Sequence, residues 1–387
     1  MQRDFHYYAT YCAATIAGYS HEEACDICWS AYHVDKCNRS FIASVSGPYS
    51  AATTQSKGEL ANMIMDKDGI HEITRIWSSF HFLPKDLYPT FDSWRSRTYK
   101  EVYALICGPN SPLVKQTIER AHGKGLQAIG IALHVLADTW AHTNFAGTPT
   151  MVINNRDNVF FEVASDGSEE KLKFTLNAAL GDNIEKRRYI SSIYQDEEHT
   201  TMNLGHGRVG HLPDYSFMRF RYRPAWKGGV FITKDNPADY YRAFTQMVYA
   251  LKYFRGEVPE FELNTYAEAE VEPWRKQIEA AINKRCTLNG EDWKALGERL
   301  SGHEIPDYDH TLHSQEFIEA EDKTSTFLGA YFDAAQRQKH MVGTAIREAN
   351  IRLAGIENEI YWAFVAKEDK YLRKLKKLLN PKAAKNQ

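Results

Sequence analysis

The 387-residue chain contains no run of about 18 apolar residues, which excludes a membrane-spanning helix. It also lacks an excess of basic charge. A net charge of −3 argues against tight nonspecific DNA binding, so nucleic acid is not the favoured partner. The opening residues, MQRDFHYYATYCAATIAGYS, lack the basic start, apolar core and small-residue cleavage site of a signal peptide. The expectation is a cytoplasmic protein, or one exported without a cleaved signal peptide. Cysteines are scarce: Cys12, Cys25, Cys28, Cys37, Cys107 and Cys286 are too few to staple a chain of this length, and free thiols are expected. The run CDICWSAYHVDKC has the spacing of a zinc knuckle. However, Ser20 and Glu23 make a capping box, and neither glycine nor proline interrupts residues 21–37. Cys25 and Cys28 therefore belong on one face of a continuous helix, where no knuckle can turn.

Helical periodicity dominates what is present. Helices are expected over 6–18, 21–37, 57–66, 98–106, 112–144, 237–255, 267–285, 290–300, 315–350 and 352–379, giving a mainly α fold. Residues 150–175 alternate around an Asp-Gly turn and read as a small β-hairpin insertion. Residues 200–236, rich in glycine, proline, histidine and arginine, read as loop. A seam near 256–266 divides residues 1–258, a metal-binding helical catalytic domain, from 259–387, a C-terminal helical region packed on it.

The stretch HVLADTWAHTNFAG carries His134, Asp138 and His142 at four-residue intervals in an apolar setting. On a helix each step advances by about 40°, so the three share a face, and their rise of about 12 Å is too long for one ion. Two ions bridged by Asp138 satisfy the spacing, because a carboxylate has two oxygens and can span ions about 3.5–4 Å apart. The plain alternative is a buried polar stripe. Asp4 and His6 (DFHYY), Asp35 (YHVDKC), His81 (SSFHFLP) and His206, His211 and Asp214 (GHGRVGHLPD) add further ligand-type side chains beside apolar or turn residues.

Together these segments resemble the zinc-dependent phospholipase C and single-strand-specific zinc nuclease superfamily, of which the chain would be a bacterial branch. The family's central-helix pattern is matched by His134-Val-Leu-Ala-Asp138 followed by His142-Thr-Asn-Phe. Three residues separate Asp138 from His142, where the family usually has five. The family's upstream His-Phe pair falls at His81-Phe82, its upstream aspartate at Asp35, its last histidine–carboxylate pair at His211 and Asp214, and its N-terminal histidine at His6. His206 competes with His211.

The resemblance implies a helical bundle of that type with extra C-terminal helices, holding two or three zinc ions, with manganese or another divalent ion as substitutes. It implies a hydrolase acting on phosphodiesters, foremost phospholipids, through a hydroxide formed on the ions. Single-stranded nucleic acid is the alternative substrate, and a non-catalytic metal-stabilised scaffold the alternative class. Its implied ligand sets are Asp35, His81, His134 and Asp138; His142, His211 and Asp214; and Asp4 and His6 with Asp138. Asp35 doubles as general base. Asp4 is expected to fill the place that a free terminal amine takes in the family, so an N-terminal extension should be tolerated. Arg208 is a candidate phosphate clamp, whereas Arg219, Arg221 and Arg223 read as surface charge.

Two further stretches carry competing readings. HEIPDYDHTLH (303–313) has ligand-type residues but no apolar frame and reads as a solvated linker. In the C-terminal stretch, Leu372, Leu375, Leu378 and Leu379 line one stripe among lysines. That basic helix could rest on an anionic membrane; the duller reading is the last helix of the bundle.

Overall fold

The computed structural model describes residues 1–37, 52–54, 67–90, 103–147, 159–175, 180–190, 209–224 and 230–351. Among them the protein is mainly helical. A π-helical turn, Asp4–Ala9, runs directly into α1 (Thr10–Ile16). There follow α2 (His21–His33), α3 (Lys67–Phe80), α4 (Pro112–Ala121) and α5 (Leu126–Ala141). Beyond the strands come α6 (Asn236–Phe254), α7 (Glu268–Val271), α8 (Arg275–Asn283), α9 (Gly290–Ser301), α10 (Ser314–Glu319) and α11 (Phe327–Glu348). No described helix is long and apolar enough to cross a membrane.

The axis of the fold is α5. Every residue from Ala128 to Ala141 is buried, as expected of a helix that is apolar on all sides. It packs against α2, α3, α4, α6 and α11. Each fully buried Leu or Val of this helix, such as Leu133, Val135 or Leu136, contributes roughly 1.5–3 kcal/mol by leaving water. The α2–α5 contact depends on Gly130. A Cβ there would stand 2.5 Å from the Ile27 carbonyl oxygen and from Ser30 Cβ. At its far end α5 is closed by the buried Lys234, whose Nζ donates to the Trp140 carbonyl at 2.7 Å, a cation placed where the helix dipole favours one.

The capping box at the start of α2 forms as expected: Glu23 N donates to Ser20 Oγ, and Ser20 N to Glu23 Oε2. Cys25 and Cys28 lie on that helix, and all six cysteines are free. The single helix expected over 112–144 is instead two. Gly123 and Gly125, both at positive φ, turn the chain between α4 and α5, a conformation open to glycine without strain.

The β-insertion is larger than a hairpin. β1 (Phe161–Val163) and β2 (Glu169–Lys171) do pair antiparallel around Asp166-Gly167. A separate parallel pair joins β3 (Lys173–Thr175) to β4 (Arg188–Ile190). β5 (Arg219–Tyr222) and β6 (Ile232–Asp235) extend the hairpin to a sheet of order β2-β1-β5-β6. Both lie in the stretch read as loop. The alternation in RFRY, with Phe220 and Tyr222 buried and the arginines half-exposed, is a strand signal that the surrounding glycines and prolines masked. Arg219 pairs with Asp235 and Arg221 with Glu169, as surface charges do.

One hydrophobic core runs from the N-terminal turn to Ile351, across residues 258/259. Phe5 meets Trp293 edge-on, and Cys12 Sγ donates to the Trp293 carbonyl. Residues 303–313 are largely exposed, as expected of a solvated segment, but they are pinned to the fold. Ile305 is buried, Trp29 Nε1 donates to the Asp309 carbonyl at 2.8 Å, and His313 stacks on Phe327. The segment straps α2 to α11, and its apolar Ile305 and Tyr308 supply the frame that its polar composition concealed. The expected helix 57–66 and the C-terminal basic helix fall outside the described residues.

A buried histidine–aspartate centre

Asp138 lies on α5, one turn beyond His134, with only 1 % of its side chain exposed. An ionised carboxylate so placed requires partners on both oxygens. Oδ2 faces His134 Nε2 at 3.1 Å, His81 Nδ1 at 3.2 Å and His142 Nδ1 at 3.7 Å. Oδ1 faces the Met1 α-amino nitrogen at 2.7 Å and His6 Nε2 at 3.1 Å. Asp35 Oδ1 stands 3.8 Å from His81 Nδ1 and 4.0 Å from His134 Nε2. Asp214 Oδ1 stands 3.2 Å from the Met1 nitrogen and 3.3 Å from His142 Nε2.

Local structure aims each group. The π-helical turn at Asp4–Ala9 keeps His6 buried against α5, and its ring stacks on His134 with centroids 3.8 Å apart. π-helical turns commonly occur at functional sites. His142 is the C-cap of α5, so the backbone leaves the helix there. This brings the ring back over Phe82, 4.7 Å between centroids, despite the short spacing from Asp138. Asp214 ends a 3₁₀ turn, Leu212–Asp214, that Asn236 of α6 clamps by donating to the Leu212 and Tyr215 carbonyls.

Three histidines share one device. Each donates a ring N–H to a main-chain carbonyl: His134 Nδ1 to Ala31 at 2.9 Å, His81 Nε2 to Thr53 at 2.9 Å, His142 Nδ1 to His81 at 2.6 Å. Such bonds fix the tautomer and turn the other nitrogen inward, as they do for metal-ligating histidines. Inside, His134 Nε2 and His81 Nδ1 face each other at 3.4 Å. His6 Nδ1 is buried with no hydrogen-bond partner. Nitrogen lone pairs and carboxylates set this close together form a donor set that could hold a cation.

The electrostatics agree. Burial would raise the Asp138 carboxyl, but His142, the terminal amine, His134 and His6 outweigh it and hold it well below the usual range. Burial opposes charge on the Met1 amine too. Attraction by Asp138, then Asp214 and Asp35, overrides this and raises it to about 11. Burial, then repulsion by His134, pushes His6 down to about 4, so it stays neutral. His81 is raised against the effect of burial by its hydrogen bond to Asp138 and by the charges of Asp138 and Asp35.

The residues present therefore fit divalent cations. His81, His134 and Asp138 offer ligand atoms within 4.8 Å of one another, as do His6, Asp35 and His134. The mixed nitrogen and oxygen set suits zinc and also tolerates manganese.

The structure gathers His6, Asp35, His81, His134, Asp138, His142 and Asp214. It does not bring in Asp4. That carboxylate accepts from Phe5 N at 3.0 Å and Asn289 N at 2.9 Å, tying the N-terminal turn to the start of α9. The place assigned to Asp4 beside Asp138 is held by the Met1 amine. His211 is half-exposed and bonds Asp182 Oδ2 through Nδ1 at 3.0 Å. His206 and Arg208 lie outside the described residues. The sequence reading missed Met1, whose distance from residue 138 along the chain gives no local signal, and Asp182, a lone aspartate that follows Gly181.

A cleft of about 790 Å³ opens on the centre, lined by Met1, Asp35 and Asp214 on one side and by Asp182 and His211 on another. A mainly helical protein built around a buried histidine–aspartate cluster, open to solvent on one face, is the class these features define. The chain belongs to a family of unknown function, DUF6765, whose model matches residues 1–346. No curated protein and no solved structure matches it.

Proposed function

We propose that the protein is a metal-dependent phosphoester hydrolase, of the kind the zinc-dependent phospholipases C exemplify, with zinc as the working metal. The observation that carries this reading is the set of three histidines, each locked by a main-chain carbonyl, with the free nitrogens of His81 and His134 turned toward Asp138 and that of His142 toward Asp214. Asp138 presents one oxygen to His81 and His134 and the other to His6 and the Met1 amine, so it would serve two ions were both held there.

When bound, paired divalent ions lower the pKa of a water to about 7 and polarise a phosphoryl oxygen. The chain's own residues do the rest. Asp35, with 26 % of its side chain exposed where the others are nearly buried, would accept the proton of an attacking water. Asp214, at 11 % exposure, borders the cleft beside it. Asp138 stays deep and holds the donors in register, with the rings of His6 and His134 stacked beside it.

The test is hydrolysis of a chromogenic phosphodiester, phosphatidylcholine and single-stranded DNA by the zinc-supplemented protein. Turnover should be abolished by a chelator and restored by zinc. Preference between the lipid and the nucleic acid then ranks the two substrate classes. The depth of His134 and Asp138 favours a second reading, a metal-stabilised scaffold, which bound metal without turnover would support.

A further inference from the structure

The geometry points to a second anion-binding position in the cleft, formed by Arg3 and Lys36, that recognises a charged group of the substrate beyond the phosphate being cleaved. The inference rests on the hydrolase reading and adds a substrate class: small phosphate esters that carry another phosphate or carboxylate.

Arg3 follows the Met1 amine by two residues, and Lys36 follows Asp35 by one. Both line the cleft that opens on the buried centre, and both are exposed. Neither forms an ion pair among the described residues. Other surface cations behave differently: Arg187 and Arg285 pair with Glu162, Arg219 with Asp235 and Arg221 with Glu169. Lys36 is steered by the Tyr32 ring, its Nζ 4.9 Å from the centroid. Arg3 lies within electrostatic reach of Asp307, but that carboxylate is already held by Tyr8 and Lys294. Asp182, the carboxylate across the cleft, is committed to Ile190 N, Tyr215 and His211.

The two cations are exposed, whereas the donors around Asp138 are buried behind Met1, Asp35 and Asp214, which line the cleft with them. A phosphate drawn to ions held by those donors leaves Arg3 and Lys36 to meet whatever extends outward. The cleft of about 790 Å³ has room for a whole small molecule rather than one phosphate. Guanidinium and ammonium groups contact phosphate or carboxylate by charge-assisted hydrogen bonds, roughly twice as strong as neutral ones.

The experiment uses the zinc-loaded full chain and two probes, inorganic orthophosphate and inorganic pyrophosphate, with binding followed by calorimetry. The wild type should bind pyrophosphate about tenfold or more tightly than orthophosphate, a difference near 1.4 kcal/mol. In Arg3→Gln/Lys36→Gln that preference should fall to about threefold or less, with zinc content checked in the same samples. No preference in the wild type would overturn the inference. So would a preference that survives in the variant, or an equal loss for both probes. The hydrolase reading fails separately: zinc-loaded protein that shows the preference but cleaves no phosphoester keeps the anion position and loses the enzyme. Protein that cleaves a simple diester with its preference unaltered by the substitutions does the reverse.

Discussion

His134 Nε2 and His81 Nδ1 face each other across 3.4 Å, although each ring has already committed its other nitrogen to a main-chain carbonyl. Two neutral imidazoles so fixed would oppose lone pair to lone pair beside a carboxylate. In the metal-free protein a proton on His81 relieves this, and against burial its affinity for that proton is raised by the hydrogen bond to Asp138 and by the charges of Asp138 and Asp35. A divalent ion relieves it for every donor at once.

Metal binding should therefore release protons. At pH 6.5 the metal-free centre holds protons on His81, raised from its ordinary value, and on the Met1 amine, raised to about 11. Ligands must be deprotonated, so zinc loading should release roughly one to two protons per chain, and zinc affinity should rise with pH. Calorimetric titration in buffers of different ionisation enthalpy measures the number. A value of zero would mean that neither group meets the ion.

Asp138→Asn should hold at most one ion and abolish hydrolysis, since its two oxygens serve two groups of donors. The metal-free variant should also be less stable by about 3–5 kcal/mol, because the buried terminal amine loses its closest counter-charge. Metal analysis and denaturant unfolding report the two effects. Full occupancy in the variant would refute the bridging role.

Residues added ahead of Met1 would replace the amine with an amide at the position 2.7 Å from Asp138. An extended chain should bind less metal than the chain beginning at Met1. Asp4→Asn should keep its metal and lose about 1 kcal/mol, the size of a capping contact. Equal metal content with and without the extension, together with metal loss in Asp4→Asn, would restore Asp4 as the ligand.

Much of the centre was legible in the sequence. The i, i+4 pair on an apolar helix places His134 and Asp138 whatever surrounds them once that helix is buried, while His142 is turned in by the C-cap that ends it. His6, Asp35, His81 and Asp214 stand out as ligand types in apolar or turn settings. Asp4 and the Met1 amine were not separable in this way. Both precede the regular helix, and which of them turns inward is decided by Asn289, far along the chain, which takes up the Asp4 carboxylate. The break between α4 and α5 was written in Gly123 and Gly125, but apolar periodicity on both sides reads through it. The strands at 219–222 and 232–235 are too short to outweigh the turn residues around them.

Packing at the heart of the fold gives a test independent of metal. Gly130→Ala places a methyl 2.5 Å from α2 main chain, so the helices must separate. The expected destabilisation is roughly 1–3 kcal/mol, read by denaturant unfolding of the metal-free protein. An unchanged midpoint would show that α2 and α5 are not held at this distance.

The central claim is that the donors around Asp138 hold divalent ions. Its most direct test is the metal content of the full chain, purified after zinc-supplemented expression and measured by mass spectrometry beside Asp138→Asn. The account predicts two or three zinc ions per folded wild-type chain and at most one in the variant. A folded wild-type chain that carries no metal would contradict it.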